Sequence, residues 1–199
     1  MIKNIIFDLG RVLLEYNPDQ YLIDLGYTEE QRQKLLSAVF KTKEWLLLDR
    51  GTITEPEAIR IWKQRNPDLK ADIEQVMDNW ESILTIKTDT LNLVEELAAD
   101  YQLFVISNFH LKAYHYLKEK HDFFTNFDGI VISAEINSIK PELEIYQYLL
   151  ATYNLNPAEC IFIDDSAQNI AAAEEVGIKA IQFTNAAALR TALNLYLKK

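Results

Sequence analysis

The stretch NIIFDLGRV, residues 4–12, joins an apolar run directly to a carboxylate. The apolar residues 5–7 predict a strand buried on both faces, which is typical of a parallel sheet covered by helices. Asp8 follows that strand at once. Because a carboxylate beside a buried strand costs free energy unless it has a partner or a function, Asp8 is the first candidate functional residue.

The composition indicates an ordinary soluble globular protein with a full core, since 49% of the 199 residues are hydrophobic and 25% are charged. The formal net charge of −10 argues against nucleic acid or an anionic membrane as partner, because both require a basic face. An anionic metabolite remains compatible with this charge where a metal ion or local cations reverse the field inside a site.

The ends and the cysteine content predict the compartment. The N-terminal apolar run is short and Asp8 interrupts it, which is unlike a signal peptide. No segment approaches the roughly 18 apolar residues of a membrane span. The single cysteine, Cys160, excludes an intramolecular disulfide and fits a reducing compartment. We expect a cytoplasmic protein without a membrane partner, either a monomer or a weak homodimer.

The rest of the chain alternates strand-like and helix-like segments. Five short apolar runs are predicted as strands: residues 4–9, 102–107, 129–133, 160–164 and 180–183. Segments of helical periodicity separate or follow the last four: residues 111–121, 143–153, 167–176 and 187–197. This alternation predicts an α/β fold with a Rossmann-like parallel sheet and right-handed crossovers.

The first interval breaks this alternation. About 75 residues separate the first strand from the next helix-like segment at residues 91–100, far more than a crossover needs. Two capping-box signatures, TEEQ at residues 28–31 and TEPE at residues 54–57, each precede an apolar stripe and predict helix starts. We therefore predict a catalytic core and an inserted all-helical domain, with the bounds 1–14 and 87–199 for the core and 15–86 for the insert.

Ligands of an open parallel sheet bind beyond the carboxyl ends of its strands. The polar residues that follow the predicted strands are therefore the candidates for a site: Asp8, Ser107, Asn108, Lys140, Asp164 and Asp165. Each alone is a weak signal, since strand-end acids often cap helices and Ser–Asn pairs often form turns. The adjacent carboxylates at residues 164–165 are the exception, because they repel each other unless a cation lies between them.

Together these residue types suit phosphoryl transfer. Three carboxylates, those of Asp8, Asp164 and Asp165, make a hard oxygen site for Mg²⁺ that leaves room for water and phosphate. A hydroxyl, an N–H and a lysine opposite the ion would surround a phosphoryl group. Aspartate also serves as a nucleophile in phosphoryl transfer, through an aspartyl-phosphate intermediate.

With these motifs in order, the chain resembles the haloacid dehalogenase superfamily over its whole length. The first motif matches residues 7–10, the second 107–108, the third 140–141 and the fourth 164–165. The helical insert resembles the cap that one subgroup carries after the first motif. WLLLDRGTIT, residues 45–54, further resembles caps of a branch with sugar-phosphate phosphatases of the glucose-1-phosphate type.

The resemblance implies a Mg²⁺-dependent phosphatase acting on a small phosphorylated metabolite such as a sugar phosphate. Asp8 would attack phosphorus. Lys140 would neutralise Asp8 and, with Ser107 and Asn108, bind the phosphoryl oxygens. The implied metal ligands are Asp8, the backbone carbonyl of Gly10, Asp165 and Asp164, the last either ligating or orienting the others.

Gly10 departs from the family pattern. Most phosphatases of the family carry a second aspartate at this position, as general acid for the leaving group and then base for water. Glycine offers a carbonyl but no proton, and it can serve a backbone conformation that aspartate adopts poorly. Glu15 and His110 are the nearest titratable residues by sequence, and both are interpreted as solvated residues of a loop or first helical turn. Arg11, Trp45 and Arg50 are candidates for specificity by location alone.

Two alternatives to the phosphatase stay open. A metal-free 2-haloacid dehalogenase would use the same aspartate, but the pair at residues 164–165 would then have little purpose. A non-catalytic regulatory protein that binds phosphorylated ligands is compatible with Gly10. Gly10 counts against a sugar-phosphate mutase, and a receiver domain would carry its acidic pair on the first strand.

Overall fold

The computed structural model describes residues 1–197, and a parallel sheet forms its centre. The strands within these residues are β1 Asn4–Phe7, β2 Leu14–Glu15, β3 Thr85–Ile86, β4 Gln102–Ser107, β5 Gly129–Ile132, β6 Cys160–Asp164 and β7 Lys179–Gln182. The insert contains α1 Pro18–Asp24, α2 Glu29–Leu35, α3 Lys43–Asp49, α4 Glu55–Arg65 and α5 Lys70–Asp78. The core contains α6 Thr88–Leu97, α7 Leu111–Lys120, α8 Ser133–Ile136, α9 Leu143–Thr152, α10 Ala167–Glu175 and α11 Ala186–Tyr196.

The large sheet has the order β5-β4-β1-β6-β7, and all of its pairings are parallel. The predicted α/β fold class is therefore confirmed. Two of the five predicted strands have the predicted ends, and the ends of the other three are shifted by one or two residues. The first strand ends at Phe7, because only the N–H of Asp8 still bonds to the sheet, at 2.9 Å from the Ile163 carbonyl. The chain then turns away and leaves the Asp8 side chain at the strand's carboxyl end.

Helices cover both faces of the sheet, which explains the uninterrupted apolar run of β1. Ile5 and Phe7 belong to one buried cluster, whereas Ile6 packs with Phe104 and Phe162 in the cluster on the other face. These side chains are at most 2% exposed. Burial on both faces makes β1 the rigid centre on which the site is built.

A two-stranded antiparallel ribbon connects the insert to the core. In it, Leu14 pairs with Ile86 and Glu15 pairs with Thr85. Both ends of the insert thus leave the core side by side. The division of the chain into two domains at residues 15 and 86 stays a prediction.

The predicted helix starts of the insert are confirmed. Both capping boxes form, with the Thr28 N–H donating to Gln31 Oε1 at 2.9 Å and the Thr54 N–H donating to Glu57 Oε2 at 2.7 Å. A π-helical turn at Leu36–Phe40 extends α2. No helix among residues 1–197 is long and apolar enough to cross a membrane.

The insert has a buried apolar centre, which belongs to the same cluster as one face of the large sheet. Leu35, Val39 and Trp62 are fully buried, as their apolar stripes predict. The Trp45 ring lies 4.8 Å from that of Phe40 and 6.3 Å from that of Trp62, measured between centroids. This packing extends from the insert's interior to its surface facing the core, where Trp45 lies.

The end of α3 binds the core through contacts that we call the latch, formed by Asp49, Arg50, Ser133, Asn137 and Glu142. Arg50 Nη1 donates to Glu142 Oε2 at 2.9 Å, and the Arg50 carbonyl accepts from Asn137 Nδ2 at 3.0 Å. The Ser133 hydroxyl donates to the main-chain carbonyl of Asp49. The latch therefore holds α3 against the loop after β5.

Gly51, next to the latch, provides a test of this contact. Its φ is +74°, and an added Cβ would lie 2.8 Å from Ala134 Cα. We expect Gly51→Ala to separate the insert from the core and to raise KM at least tenfold. Gly26→Ala is the matched control, because Gly26 has a φ of +86° and open space around it. Both variants should lose about 1–2 kcal/mol through strain in the left-handed conformation.

Thermal unfolding of the two variants measures the backbone strain that both share. Steady-state kinetics measure the displacement of α3 from the core, which is expected in Gly51→Ala alone. Equal kinetics for Gly51→Ala and Gly26→Ala would show that contact between α3 and the core does not matter for substrate binding.

Candidate active site

Asp8 lies at the carboxyl end of β1, where three donors meet one of its oxygens. Oδ1 accepts from the Ser107 hydroxyl at 2.7 Å, from the Leu9 N–H at 2.7 Å and from Lys140 Nζ at 2.8 Å. Ser107 ends the neighbouring strand β4, so the parallel register brings the two together. The carboxylate is thereby held in one orientation at the wall of a cavity.

Burial is the main influence on the pKa of the Asp8 carboxyl group. Desolvation raises the pKa of Asp8 to about 6, the charge of Asp164 adds to the shift, and Lys140 and Ser107 oppose it. The proton therefore leaves Asp8 at a higher pH than it leaves a solvated aspartate. A further cation beside Asp8 would stabilise the ionised form.

Lys140 is buried between two carboxylates. Its Nζ lies 2.8 Å from Asp8 Oδ1 and 2.6 Å from Asp164 Oδ2, and it donates to the Ile106 carbonyl at 3.1 Å. Burial alone would lower the pKa of Lys140, but the charges of Asp8 and Asp164 outweigh it and raise the pKa. The ammonium is therefore charged, and its three protons all have acceptors.

Asp164 orients this lysine and is itself fully buried. Oδ1 accepts from the Ser166 N–H at 2.8 Å, and Asn169 Nδ2 lies 2.9 Å from Oδ1 and 3.0 Å from Oδ2. With Lys140 on Oδ2, both oxygens are engaged. Asn169 is not among the residues predicted from the sequence, although its place in the first turn of the helix after the acidic pair is a signal for it.

The predicted acidic group is present. Asp8, Asp164 and Asp165 each offer an oxygen within 4.8 Å of the others. Asp165 is the most accessible of the three, with a side chain 30% exposed and Arg11 Nη1 3.5 Å from its Oδ2. Three carboxylate oxygens at this spacing are the hard donor set that Mg²⁺ prefers, so the residues fit the implied metal.

Asn108 differs from its expected arrangement. Its Oδ1 accepts from the Lys140 N–H at 2.7 Å, and its Nδ2 donates to the Lys140 carbonyl at 2.9 Å. The side-chain amide therefore fixes the backbone of the loop that carries Lys140. The role of Asn108 in phosphate binding stays a prediction.

A cavity of about 110 Å³ separates Asp8 from the insert. Residues of both parts line it: Asp8, Gly10, Ser107, Asn108, Phe109 and His110 from the core, and Tyr16, Trp45, Asp49, Trp80 and Leu84 from the insert. A larger cleft of about 1060 Å³ lies at the opposite end of the sheet, around Lys3 and Asp100, away from the carboxylates. The chemistry of the lining residues, and not size, identifies the candidate site.

The sequence located Trp45 near the site by region alone. It gave Asp49 no role, although Asp49 lies in the same stretch, residues 45–54. It offered no signal for Tyr16, Trp80 or Leu84, since these converge only in the folded chain. Arg50 belongs to the latch, and Arg11 lies beside Asp165.

The two candidate proton donors have opposite environments. Glu15 is exposed, as expected, and lies on the ribbon with Oε1 3.0 Å from Lys87 Nζ. The interpretation of His110 as a solvated residue is wrong, because its side chain is only 5% exposed. The insert covers His110, since the ring centroids of Trp45 and Trp80 lie 4.6 Å and 4.9 Å from that of the imidazole.

The backbone explanation for Gly10 is also wrong. The φ of Gly10 lies outside the left-handed region, and an added Cβ would meet no atom within 4 Å. Arg11, the next residue, takes the positive φ of 60° instead. A Cβ at position 10 is therefore sterically permitted.

Comparisons with known proteins agree with this geometry. The model of the haloacid dehalogenase-like hydrolase family matches residues 5–183. Sesquiterpene phosphatase astK of Aspergillus oryzae is 27% identical over 187 residues, covering 94% of this chain and 92% of that protein. D-ribitol-5-phosphate phosphatase of Bacteroides thetaiotaomicron is 24% identical over 210 residues and covers 99% of each chain.

A solved structure of an enzyme of this family from Bacteroides thetaiotaomicron, in complex with magnesium and inorganic phosphate, has the same fold. Its TM-score is 0.72 at 24% identity, covering 92% of this chain and 95% of that one. Since the family model spans nearly the whole chain and the fold agrees, this protein belongs to the haloacid dehalogenase-like hydrolase family.

Proposed function

We propose that the protein is a Mg²⁺-dependent phosphatase that hydrolyses a small phosphomonoester through an aspartyl-phosphate on Asp8. The observation that carries the proposal is the group of three carboxylates, Asp8, Asp164 and Asp165, with oxygens within 4.8 Å beside the buried Lys140. Two relatives named as phosphatases, and the similar fold that contains magnesium and phosphate, support it.

Asp8 performs both halves of the reaction. Its carboxylate attacks phosphorus, so that a new O–P bond forms while the bond to the leaving-group oxygen breaks. Water then attacks the phosphorus of the acyl phosphate, which releases phosphate and restores Asp8. Ser107 and Lys140 hold the carboxylate in place during both steps, at 2.7 Å and 2.8 Å from Oδ1.

The metal would be held by Asp8, Asp165 and the backbone carbonyl of Gly10, and when bound it supplies positive charge to the phosphoryl oxygens. Asp164 is better suited to orienting than to ligating, because Lys140, Ser166 and Asn169 already engage both of its oxygens. The acidic pair argues against a metal-free dehalogenase, which would have no use for Asp165.

Residues 15–86 act in this proposal as a cap. The cavity of about 110 Å³ is well below the roughly 300–1,000 Å³ of typical ligand pockets. It holds a phosphoryl group and little more, so a larger substrate requires the cap to move. The two-stranded ribbon at residues 14–15 and 85–86 is the connection about which it would turn.

The cavity lining indicates the kind of leaving group. Tyr16, Trp45, Trp80 and Leu84 present aromatic and apolar surface, and the charged cap residue among the lining is the anionic Asp49. No lysine or arginine is among the described residues that line the cavity, so an anionic leaving group would find no permanent counter-charge there. We infer a neutral leaving group with an apolar face, which fits a sugar or polyol as well as a terpene.

Release of inorganic phosphate from a panel of phosphomonoesters tests the function and its metal dependence together. We expect sugar, polyol and isoprenyl phosphates to be hydrolysed faster than nucleotides, and only with Mg²⁺. Excess EDTA should abolish turnover, and Ca²⁺ should inhibit because its looser coordination misplaces the nucleophile. Full activity in EDTA would contradict the metal assignment, and phosphate release from no ester would favour the regulatory alternative.

The pKa of Asp8 gives the same experiment a second readout. A carboxyl group whose pKa is raised in the folded state stabilises the fold below its unfolded pKa of 3.8, and this stability is lost as pH rises through about 6. We expect the Tm of the metal-free protein to fall over that pH range and Mg²⁺ to restore it most above pH 6. Asp8→Asn should lack this component, and a Mg²⁺ effect independent of pH would count against ligation by Asp8.

A further inference from the structure

His110 is a buried imidazole at the wall of the active-site cavity. It directly precedes α7 and lines the same cavity as Asp8. Its ring centroid lies 4.6 Å from that of Trp45 and 4.9 Å from that of Trp80, and both tryptophans belong to the insert. The core thus supplies the imidazole and the insert encloses it.

The polar atoms of this ring are poorly satisfied. His110 Nε2 lies 3.1 Å from Asp49 Oδ1. Neither ring nitrogen makes an aligned hydrogen bond to the described part of the chain, although both are buried. Buried polar atoms usually make aligned hydrogen bonds, so an imidazole at a cavity wall whose nitrogens make none indicates a group that bonds to a ligand.

The other proton-bearing groups near Asp8 are less suitable as donors to a leaving group. Glu15 lies outside the residues that line the cavity and pairs with Lys87 at 3.0 Å. Tyr16 lines the cavity, but burial and then the charge of Asp49 raise its pKa. Lys140 has acceptors for all of its protons.

We propose that His110 is the catalytic acid that the missing side chain at Gly10 leaves unassigned, and that Asp49 is a positioning residue that orients its ring. The inference rests on the proposed phosphatase function. A carboxylate beside one ring nitrogen fixes the ring's orientation, while the other nitrogen remains free for the reacting group.

The proton balance of the reaction is complete with these residues. As the Asp8 carboxylate forms its bond to phosphorus, the leaving-group oxygen takes a proton from the His110 imidazolium, and an alcohol departs. The neutral imidazole then removes a proton from the water that attacks the aspartyl-phosphate. Phosphate leaves, and His110 is again protonated for the next turnover.

The latch couples this acid to closure of the cap. Asp49 ends α3, and its main-chain carbonyl accepts from the Ser133 hydroxyl of the core. Asp49 therefore reaches His110 only while α3 is docked. His110 is therefore oriented to donate its proton only when the cap encloses the substrate. The closed cap also excludes bulk water from the aspartyl-phosphate.

The test compares a poor and a good leaving group in the His110→Gln variant with Mg²⁺ present. Turnover of an alkyl phosphate should fall about 100- to 10,000-fold, since the alkoxide must leave unprotonated. Turnover of p-nitrophenyl phosphate should fall less than about tenfold, because its leaving group is stable as an anion. Asp49→Asn should shift the same ratio in the same direction by a smaller factor. His115→Gln, an exposed histidine on α7, is the matched control and should leave both rates unchanged.

The outcomes separate this inference from the proposed function. Equal losses for both esters in His110→Gln, with wild-type activity intact, would overturn the acid and leave the phosphatase standing. A wild-type protein that hydrolyses neither ester would overturn both. Should His110→Gln not fold, Asp49→Asn decides, because it retains the main-chain carbonyl of the latch, and a uniform loss in that variant would overturn the proposal.

Discussion

The Asp8→Asn variant is expected to lose phosphatase activity by roughly four to six orders of magnitude, the loss typical of removing a catalytic nucleophile. The amide keeps the shape of the side chain but has no anionic oxygen with which to attack phosphorus. Initial rates of phosphate release under excess Mg²⁺ measure the effect. Asp100→Asn, an exposed aspartate at the opposite end of the sheet, is the matched control and should retain full activity.

The same variant separates loss of chemistry from loss of structure. At neutral pH Asp8 is ionised, and its ionisation lowers the stability of the fold because burial raises its pKa to about 6. Removing that charge should therefore leave the Tm of the metal-free protein unchanged or raised at pH 7.

Rapid quenching of the wild type with labelled substrate should place the phosphate on Asp8. Label on Ser107, or residual activity above a tenth of wild type, would refute the mechanism.

The Lys140→Met variant is expected to lose both activity and stability. Methionine fills a similar volume but leaves the carboxylates of Asp8 and Asp164 buried without their shared cation, at 2.8 Å and 2.6 Å from the lost ammonium. Breaking a buried ion pair in this way costs about 3–5 kcal/mol of unfolding free energy. Denaturant unfolding without metal measures this loss, and Lys179→Met, on the exposed side of edge strand β7, is the control.

A double variant identifies the origin of that loss. Asp8→Asn in the Lys140→Met background removes one of the two unpaired charges, so it should recover part of the lost stability. The coupling energy of the cycle is expected to exceed about 1 kcal/mol, as for other residues in direct contact. Additive changes in unfolding free energy would mean that Lys140 stabilises the fold through packing of its aliphatic side-chain atoms and not through its charge.

Local sequence patterns predicted the sheet well because they reflect burial. The apolar run of β1 indicated a strand covered on both faces, and Ile5, Ile6 and Phe7 are fully buried in two clusters. The capping boxes at Thr28 and Thr54 predicted helix starts because each depends on residues three positions apart. The predicted ends were one or two residues off where the chain leaves the sheet with a hydrogen bond still formed, as at Asp8.

The candidate residues of the core could be found from the sequence because parallel strands carry their carboxyl ends to one edge. That rule brought Asp8, Ser107 and Asp164 together without knowledge of any distance. It could not reveal that the side chain of Asn108 fixes the Lys140 loop, or that Asn169 engages Asp164. These depend on the path of two loops, which local pattern does not encode. The roles assigned to these residues stay predictions.

By itself, the sequence determined the α/β core, the helical nature of the insert and the acidic residues at the strand ends, since each follows from hydrophobic period and neighbouring residues. Only the tertiary structure decided what faces Asp8 from the other side. The insert docks through the latch, and this docking buries His110 between Trp45 and Trp80 beside Asp49. Asp49 and His110 are 61 residues apart in the sequence, and their contact arises from packing between the insert and the core, which no local pattern expresses.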